Sequence, residues 1–504
     1  MKSKDQIIYD HYKQFGSLRA TARKLGIDRD AVRNAVQRIS EIRPEIYPKA
    51  GVKPNKVADK KRFVVTCVLN DCDLNRPFLE SLLYYCKANK AQLVAIPVRY
   101  RNVSLVTGND TPNWPAELGK FYLTDDLELT SNITIMGSMR LQATASRPLD
   151  GLGGISRGKS AVFGHPRVAL ETIPTPLSKH PLVYMTTGSV SLPAYSDTKA
   201  GRLGDFHHSC SAAIVETDGE TFYWRHVHAN EDGSFNDLDR QYCSLGSLGS
   251  SVVSVIPGDI HVDFADGSVT RAVFGDLVSQ LKPHSLVLHD VLDAFSISHH
   301  HDGKPMVQYQ KAVSGQDNCE EEVTRTISFV HGVAETVEKV YLVKSNHHDH
   351  LDRWLDRPSN QILPKNLLFW HKLNLERLLD VKNGGTGRSG LEIAFAMGPE
   401  CDKILFADDK EELDIEGIDC SAHGDRGPNG SRGSRRAMAR VQRRTVIGHS
   451  HSPGITDGCY QVGMSCIKEM PYVSGYSSWL ACCCVIYPGG HRTLLPIING
   501  RYCL

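Results

Sequence analysis

The sequence of 504 residues contains no run of eighteen apolar residues, so no membrane span is expected. Its first residues, MKSKDQIIYDHYKQFG, lack an apolar stretch of the kind a secretory signal needs, so a cytoplasmic protein is expected. No two of its 14 cysteines stand in CxxC spacing, and Cys482, Cys483 and Cys484 are consecutive. Alternating strand faces would send those three thiols in opposite directions, which speaks for buried reduced thiols and against a disulfide framework. There is no internal repeat and no extended low-complexity tract. There is almost no net charge either, with 58 Lys+Arg against 57 Asp+Glu. With 41% hydrophobic and 23% charged residues the chain can bury real cores, and its length suggests about three domains.

The balanced total hides an asymmetry. Residues 1–61 hold 15 Lys+Arg and 7 Asp+Glu, leaving 43 against 50 for the rest. A basic N-terminal module on a mildly acidic body points to a polyanionic partner. Residues 1–46 are expected to form a helix-turn-helix module, in which residues 5–40 read as three short helices. Ile7, Ile8, Tyr12 and Phe15 face inward from the first; Gly16 ends it and Ser17 caps the second, which turns Leu18, Ala22 and Leu25 inward. After Gly26 and a cap at Asp28, Ala31, Val32, Ala35, Val36 and Ile39 line the third. Two helices joined by a glycine-containing turn suggest a helix-turn-helix, whose outward face would present Arg29, Arg33, Asn34, Gln37 and Arg38 to DNA phosphates and base edges. Residues 47–61 read as a basic linker.

Residues 62–245 are expected to form a separate α/β domain. RFVVTCVL and QLVAIPVRY read as strands around a helical PFLESLLYYCKANK, and two further strands flank Asp218-Gly219 as a hairpin. Lys199 and Arg202 fall in a Gly/Ser/Thr-rich stretch read as a loop. No catalytic constellation is visible in this region.

Residues 246–504 differ. Short apolar runs are each followed by metal-ligating residue types: Asp259 and His261, then Asp290 and Asp293, then Asn346 and His347, then His423, then His449 and His451. Sites in α/β sheets form just beyond the carboxyl ends of strands. Carboxylate, amide and imidazole donors together suit first-row divalent metals such as Mn, Fe or Zn. So many candidate ligands are too many for one tetrahedral site and fit two ions sharing a carboxylate, an arrangement that can clamp a phosphoryl group.

In order these blocks are GDIH (258–261), HDVLD (289–293), SNHHD (345–349), HGD (423–425) and GHSH (448–451). The set resembles the calcineurin-like metallophosphoesterase superfamily, whose pattern runs D-x-H, GD-x-x-D, GNH-D/E, a lone H, then G-H-x-H. The resemblance implies a β-sandwich flanked by helices. It also implies a first metal on Asp259, His261 and His451, a bridging Asp290, and a second metal on Asn346, His423 and His449. His347, oriented by Asp293, would protonate the leaving oxygen. Two divalent ions, Mn2+ foremost, would be the cofactors. This chain departs from the pattern at His289 and Ser345, which replace glycines, and at His348, where an acid is usual.

Two further features bear on substrate. His299, His300 and His301 follow the second block, either lining the cleft or lying on the surface. Residues 424–444 carry Arg426, Arg432, Arg435, Arg436, Arg440, Arg443 and Arg444 in a Gly-rich stretch with a helix capped near Ser434, which suggests a polyanion cradle built on Arg432, Arg435 and Arg436. The superfamily includes protein phosphatases, nucleotide phosphodiesterases and double-strand-break repair nucleases. The basic helices and the arginines favour a two-metal DNA nuclease among them. The overall arrangement also resembles phage-encoded metallophosphoesterases with an N-terminal helix-turn-helix, acting in host cytoplasm in DNA transfer or DNA degradation. The related repair nucleases often dimerise, so a homodimer stays open. The rivals are a phosphatase or phosphodiesterase acting on a nucleotide or phosphoprotein, and a DNA-binding scaffold with a vestigial metal site.

Overall fold

The computed structural model describes residues 4–41, 47–53, 59–100, 112–385, 387–407, 410–441, 443–470 and 473–504. Residues 54–58 of the expected linker and the side chains of Gln37 and Ile39 lie outside the described residues.

Three helices, Lys4–Phe15, Leu18–Leu25 and Arg29–Glu41, open the chain. Ser17 caps the second by accepting from the Ala20 amide at 3.4 Å, and Gly26 ends it at φ 64°, a left-handed conformation that glycine adopts without a Cβ penalty. Ile8, Ala22, Val32 and Ala35 form the buried centre, with Tyr12, Leu18, Leu25 and Val36 packed against it. Ile7 and Ala31, both expected inward, are exposed. Successive helical residues point about 100° apart, so Ile8 and Val32 take the inward positions.

The strands Arg62–Leu69 and Gln92–Val98 pair in parallel, from Phe63 beside Gln92 to Leu69 beside Val98. The helix Arg76–Ala88 connects them, capped by Asn75 and carrying Pro77 in its first turn. The hairpin Ser211–Thr217 and Phe222–His228 adds antiparallel on the other side. The stretch read as a loop around Lys199 is a helix, Lys199–Phe206, capped by the Thr198 hydroxyl; Arg202 pairs with Asp197 at 2.5 Å.

Two larger sheets carry the rest. The first has six strands in the order Ile404–Ala407, Lys339–Val343, Ser285–Leu288, Ser254–Ile256, Cys482–Tyr487 and His491–Pro496. The first four are parallel and the last two antiparallel to their neighbours. Its outer face packs on helices: Val255, Leu286, Leu288, Val340 and Leu342 share a core with Val273, Val330, Leu351 and Ile393. Its inner face, with Ile256, Val287 and Val343, shares another core with Ile135, Val162, Met185 and Val446 of the ten-stranded sheet. Cys483 belongs to the outer core, Cys482 and Cys484 to the inner one, as strand alternation requires, and all fourteen cysteines are free. The fold is therefore a mixed α/β one, a β-sandwich with a helical layer and a small helical module at the start.

The domain boundary expected at 245/246 does not separate two cores. Five strands between residues 127 and 186 belong to the same ten-stranded sheet as five between 414 and 461, joined where Ile455 pairs with Leu170. Ile135, Val162 and Met185 from the first group and Val446 and Tyr460 from the second share one core with the inner face of the six-stranded sheet.

Candidate metal centre

The candidate residues leave the ends of strands in both sheets. Asp259 and His261 follow Ser254–Ile256, Asp290 and Asp293 follow Ser285–Leu288, and Asn346 and His347 follow Lys339–Val343. From the other sheet, His423 follows Ile418–Asp419, and His449 and His451 follow Arg444–Ile447. The site therefore lies where the two layers of the sandwich end together.

A continuous chain of contacts links all seven proposed ligands. His451 Nε2 lies 3.2 Å from Asp259 Oδ2 and 3.2 Å from His261 Nε2. His261 Nε2 is 3.7 Å from Asp290 Oδ2, and that same oxygen is 3.1 Å from His423 Nε2. The His423 and His449 rings are 5.3 Å apart, and His449 Nδ1 is 3.1 Å from Asn346 Oδ1. Asp259, His261, Asp290 and His451 each offer one ligand atom within 4.8 Å of the others, and all four are buried. Asp290 thus stands between the two halves of this chain of contacts.

The donors fit divalent cations. Both carboxylate oxygens of Asp259, Asp290 Oδ1 and His423 Nε2 are buried without an aligned hydrogen bond, although charged partners lie close. Two imidazole nitrogens bound tetrahedrally at about 2.0–2.1 Å would sit roughly 3.3–3.4 Å apart, close to the observed His261–His451 separation. Burying these groups without a counter-charge would be costly.

The backbone is strained at the same place. His261 (φ 45°), Asp290 (φ 45°), Ala294 (φ 57°), His449 (φ 75°) and His451 (φ 57°) all adopt left-handed conformations. Each costs about 1 kcal/mol or more, and such residues gather at functional sites. Gly448 is required by close approach: a Cβ there would overlap Asp259 Oδ1 and crowd His289.

Asp293 acts differently from the sequence expectation. Its carboxylate lies 2.8 Å from His261 Nδ1, while its backbone carbonyl accepts from His347 Nδ1 at 2.8 Å. The carboxylate is 3.6 Å from His347. Asp293 therefore sets the tautomer of both rings, one through each oxygen, and leaves Nε2 of each for other work. Asp259, His261, Asp290, His423 and His451 are buried, whereas Asn346, His347 and His449 are partly exposed, so the site opens on their side.

The sequence marks His289 only as a departure from a glycine. It is fully buried, and its Nδ1 lies 3.3 Å from His423 Nδ1. Burial, helped by the nearby His423, pushes its pKa down to about 4, so it stays neutral and can accept from His423 Nδ1. Burial opposes charge on His423 too, but the adjacent Asp290 carboxylate prevails and raises it to about 9. Strand alternation could have exposed this role, since Leu286 and Leu288 face the helices and His289 continues the opposite face. Trp479, whose ring is 4.1 Å from that of His451, had no signal in local spacing.

Around the centre, Arg29, Arg33 and Asn34 are exposed on the third N-terminal helix, with Arg33 paired to Asp30 at 2.8 Å. The helix after Ser434 is one turn, Arg435–Met438. Arg435 turns inward to donate to Thr456 at 3.0 Å, and Arg436 pairs with Asp150 at 2.9 Å. Arg432 and Arg440 are exposed. Arg426 pairs with Asp349, close to His347 in the chain.

Among the described residues, no helix is long and apolar enough to cross a membrane. No family model matches the chain. It shows 12% identity to the crystal structure of Chaetomium thermophilum Vps29, covering 35% of this chain and 93% of that one at a TM-score of 0.22, a likeness too loose to bear on function. Over 465 residues it is 26% identical to Protein A1 of Escherichia phage T5, covering 89% of this chain and 84% of that protein, so over most of its length this chain is similar to a phage protein.

Proposed function

We propose that this chain is a two-metal phosphodiesterase that cleaves DNA, docked on it by its N-terminal helices. The observation that carries the reading is the position of Asp290, whose Oδ2 stands 3.7 Å from His261 Nε2 and 3.1 Å from His423 Nε2, between a buried set of donors and a second set anchored by the buried His423. Asp259, His261 and His451 would hold one divalent ion, Asn346, His423 and His449 the other, with Asp290 shared. Bound there, the pair would polarise a phosphoryl group and activate water.

The remaining work falls to this chain's own side chains. His347 is partly exposed and keeps Nδ1–H on the Asp293 carbonyl, so Nε2 is the atom available to a leaving oxygen. As an imidazolium it can give that proton, and the carbonyl holds the ring in place while it does so. Asp293 and His289 hold His261 and His423 in the tautomers that offer Nε2. Exposed Arg29 and Arg33 supply charge to a phosphate backbone. DNA is favoured over a small ester by that basic module and by Arg432 and Arg440 after His423. The similarity to a phage protein suits a role in phage DNA metabolism in host cytoplasm. The test is incubation of the purified protein with plasmid and linear DNA, and separately with an aryl phosphate and an aryl phosphodiester. Cleavage of the small esters alone would assign it to the phosphatase or small-phosphodiester branch instead.

A further inference from the structure

Beside His347 lies a second group of imidazoles that the proposed reaction does not use. His299 and His300 sit on a single 3-10 turn, His299–His301, and His350 lies in the first turn of the helix His348–Leu355. The ring centroids of His299 and His300 are 3.9 Å apart, and those of His350 lie 4.9 Å and 5.6 Å from them. Each offers a nitrogen within 4.8 Å of the other two. His350 is only 7% exposed, yet its Nδ1 has no hydrogen-bond partner, and neither has Nδ1 of the half-buried His299. His301 is not part of the group, since its ring packs on Phe295 at 5.1 Å.

Three imidazoles turned toward one point, with a buried nitrogen unsatisfied, form a poor packing arrangement and a good ligand set. The neighbouring guanidinium groups do not forbid a cation. Arg357 pairs with Asp302 at 2.9 Å, and Arg353 lies 4.0 Å from Asp349. We propose that His299, His300 and His350 form a separate mononuclear site for a zinc-like divalent ion. Three neutral nitrogens suit Zn2+ or Co2+ and disfavour Mg2+ and Ca2+, which prefer oxygen. With three protein ligands the fourth position stays open, as in sites that exchange a water for a substrate atom. The His350 ring is 5.1 Å from that of His347, so the ion would sit beside the residue assigned to the leaving group.

The site does not depend on the dinuclear reading, and the experiment keeps them apart. Metal-free full-length protein is titrated with Zn2+ by calorimetry and with Co2+ by visible absorption, for wild type, H300A, H299A/H300A and D290N. The double variant should bind one ion fewer than wild type. Its affinity at that site should fall by more than the roughly 10–100-fold that the loss of an outer-shell partner costs. His300 is exposed, so H300A keeps its melting temperature and should show the same loss in smaller degree. D290N should retain this ion. Unchanged stoichiometry and affinity in both H300A and the double variant would overturn the site. Loss in those two with D290N fully loaded would uphold it while contradicting the shared role of Asp290.

Discussion

Asp290→Asn replaces a carboxylate that stands between His261 and His423 with a neutral amide. Occupancy of the dinuclear centre and turnover should both collapse, read by elemental analysis of a variant that also lacks His299 and His300 and by a plasmid-nicking assay. His347→Asn should separate the two, keeping metal while losing activity by about 10²–10⁴-fold, the usual loss for a general acid. Loss of metal with activity would make His347 a ligand. These residues were legible in the sequence because ligand types followed apolar strand runs in a fixed order. His289 and Trp479 were not, because a supporting contact depends on which strand lies opposite, and spacing along one strand does not reveal that. A pair behind the site escaped notice for the same reason. Glu322 is buried and accepts from the Phe295 and Ser296 amides at 2.8 and 3.0 Å, while Lys311, also buried, donates to the Phe295 carbonyl. Burial pushes the Glu322 carboxyl from its ordinary 4.5 up to about 7. The folded state therefore holds a proton that the unfolded chain has already lost. Stability contributed by Glu322 is full below about pH 4.5 and is lost as pH rises toward 7, by about 3 kcal/mol in all. Glu322→Gln should flatten this part of the curve in metal-free protein, measured as melting temperature from pH 5 to 8. A parallel curve in the variant would show that Glu322 ionises normally.

At the scale of elements, the N-terminal helices carry the DNA claim. Deleting residues 1–46 should weaken DNA binding and flatten its dependence on salt, by roughly 0.9 in the log–log slope per lost phosphate contact on double-stranded DNA. Hydrolysis of an aryl phosphodiester should be spared, because none of the proposed ligands lies in that segment. An unchanged salt slope would point to a protein partner. Arg29→Ala with Arg33→Ala is the finer version, since both side chains are exposed. These helices were readable from caps and periodicity, as were Arg62–Leu69, Arg76–Ala88 and the hairpin around Asp218, where local pattern and final structure agree. The helix Lys199–Phe206 was missed because its glycines and its surrounding Ser/Thr-rich sequence mask a turn whose start is set by the Thr198 cap.

At the scale of the whole molecule, what the sequence concealed was the union of residues 127–186 with residues 414–461 in one sheet. That pairing closes over hundreds of residues and leaves no local mark. The fold class could be inferred from its C-terminal half, but the division at 245/246 could not survive a shared core. The centre itself draws on strands of both sheets, so metal and fold should be coupled: loading with Mn2+ should raise the melting temperature, and a chelator should reverse the gain. The measurement that tests the account most directly is DNA cleavage by metal-stripped protein, assayed with added Mn2+, with Mg2+ and with excess EDTA. The account predicts no cleavage in EDTA, restoration by Mn2+ that exceeds restoration by Mg2+, and no restoration in Asp290→Asn. Full cleavage in excess chelator, or a metal-loaded protein that leaves DNA intact under every condition, would contradict it.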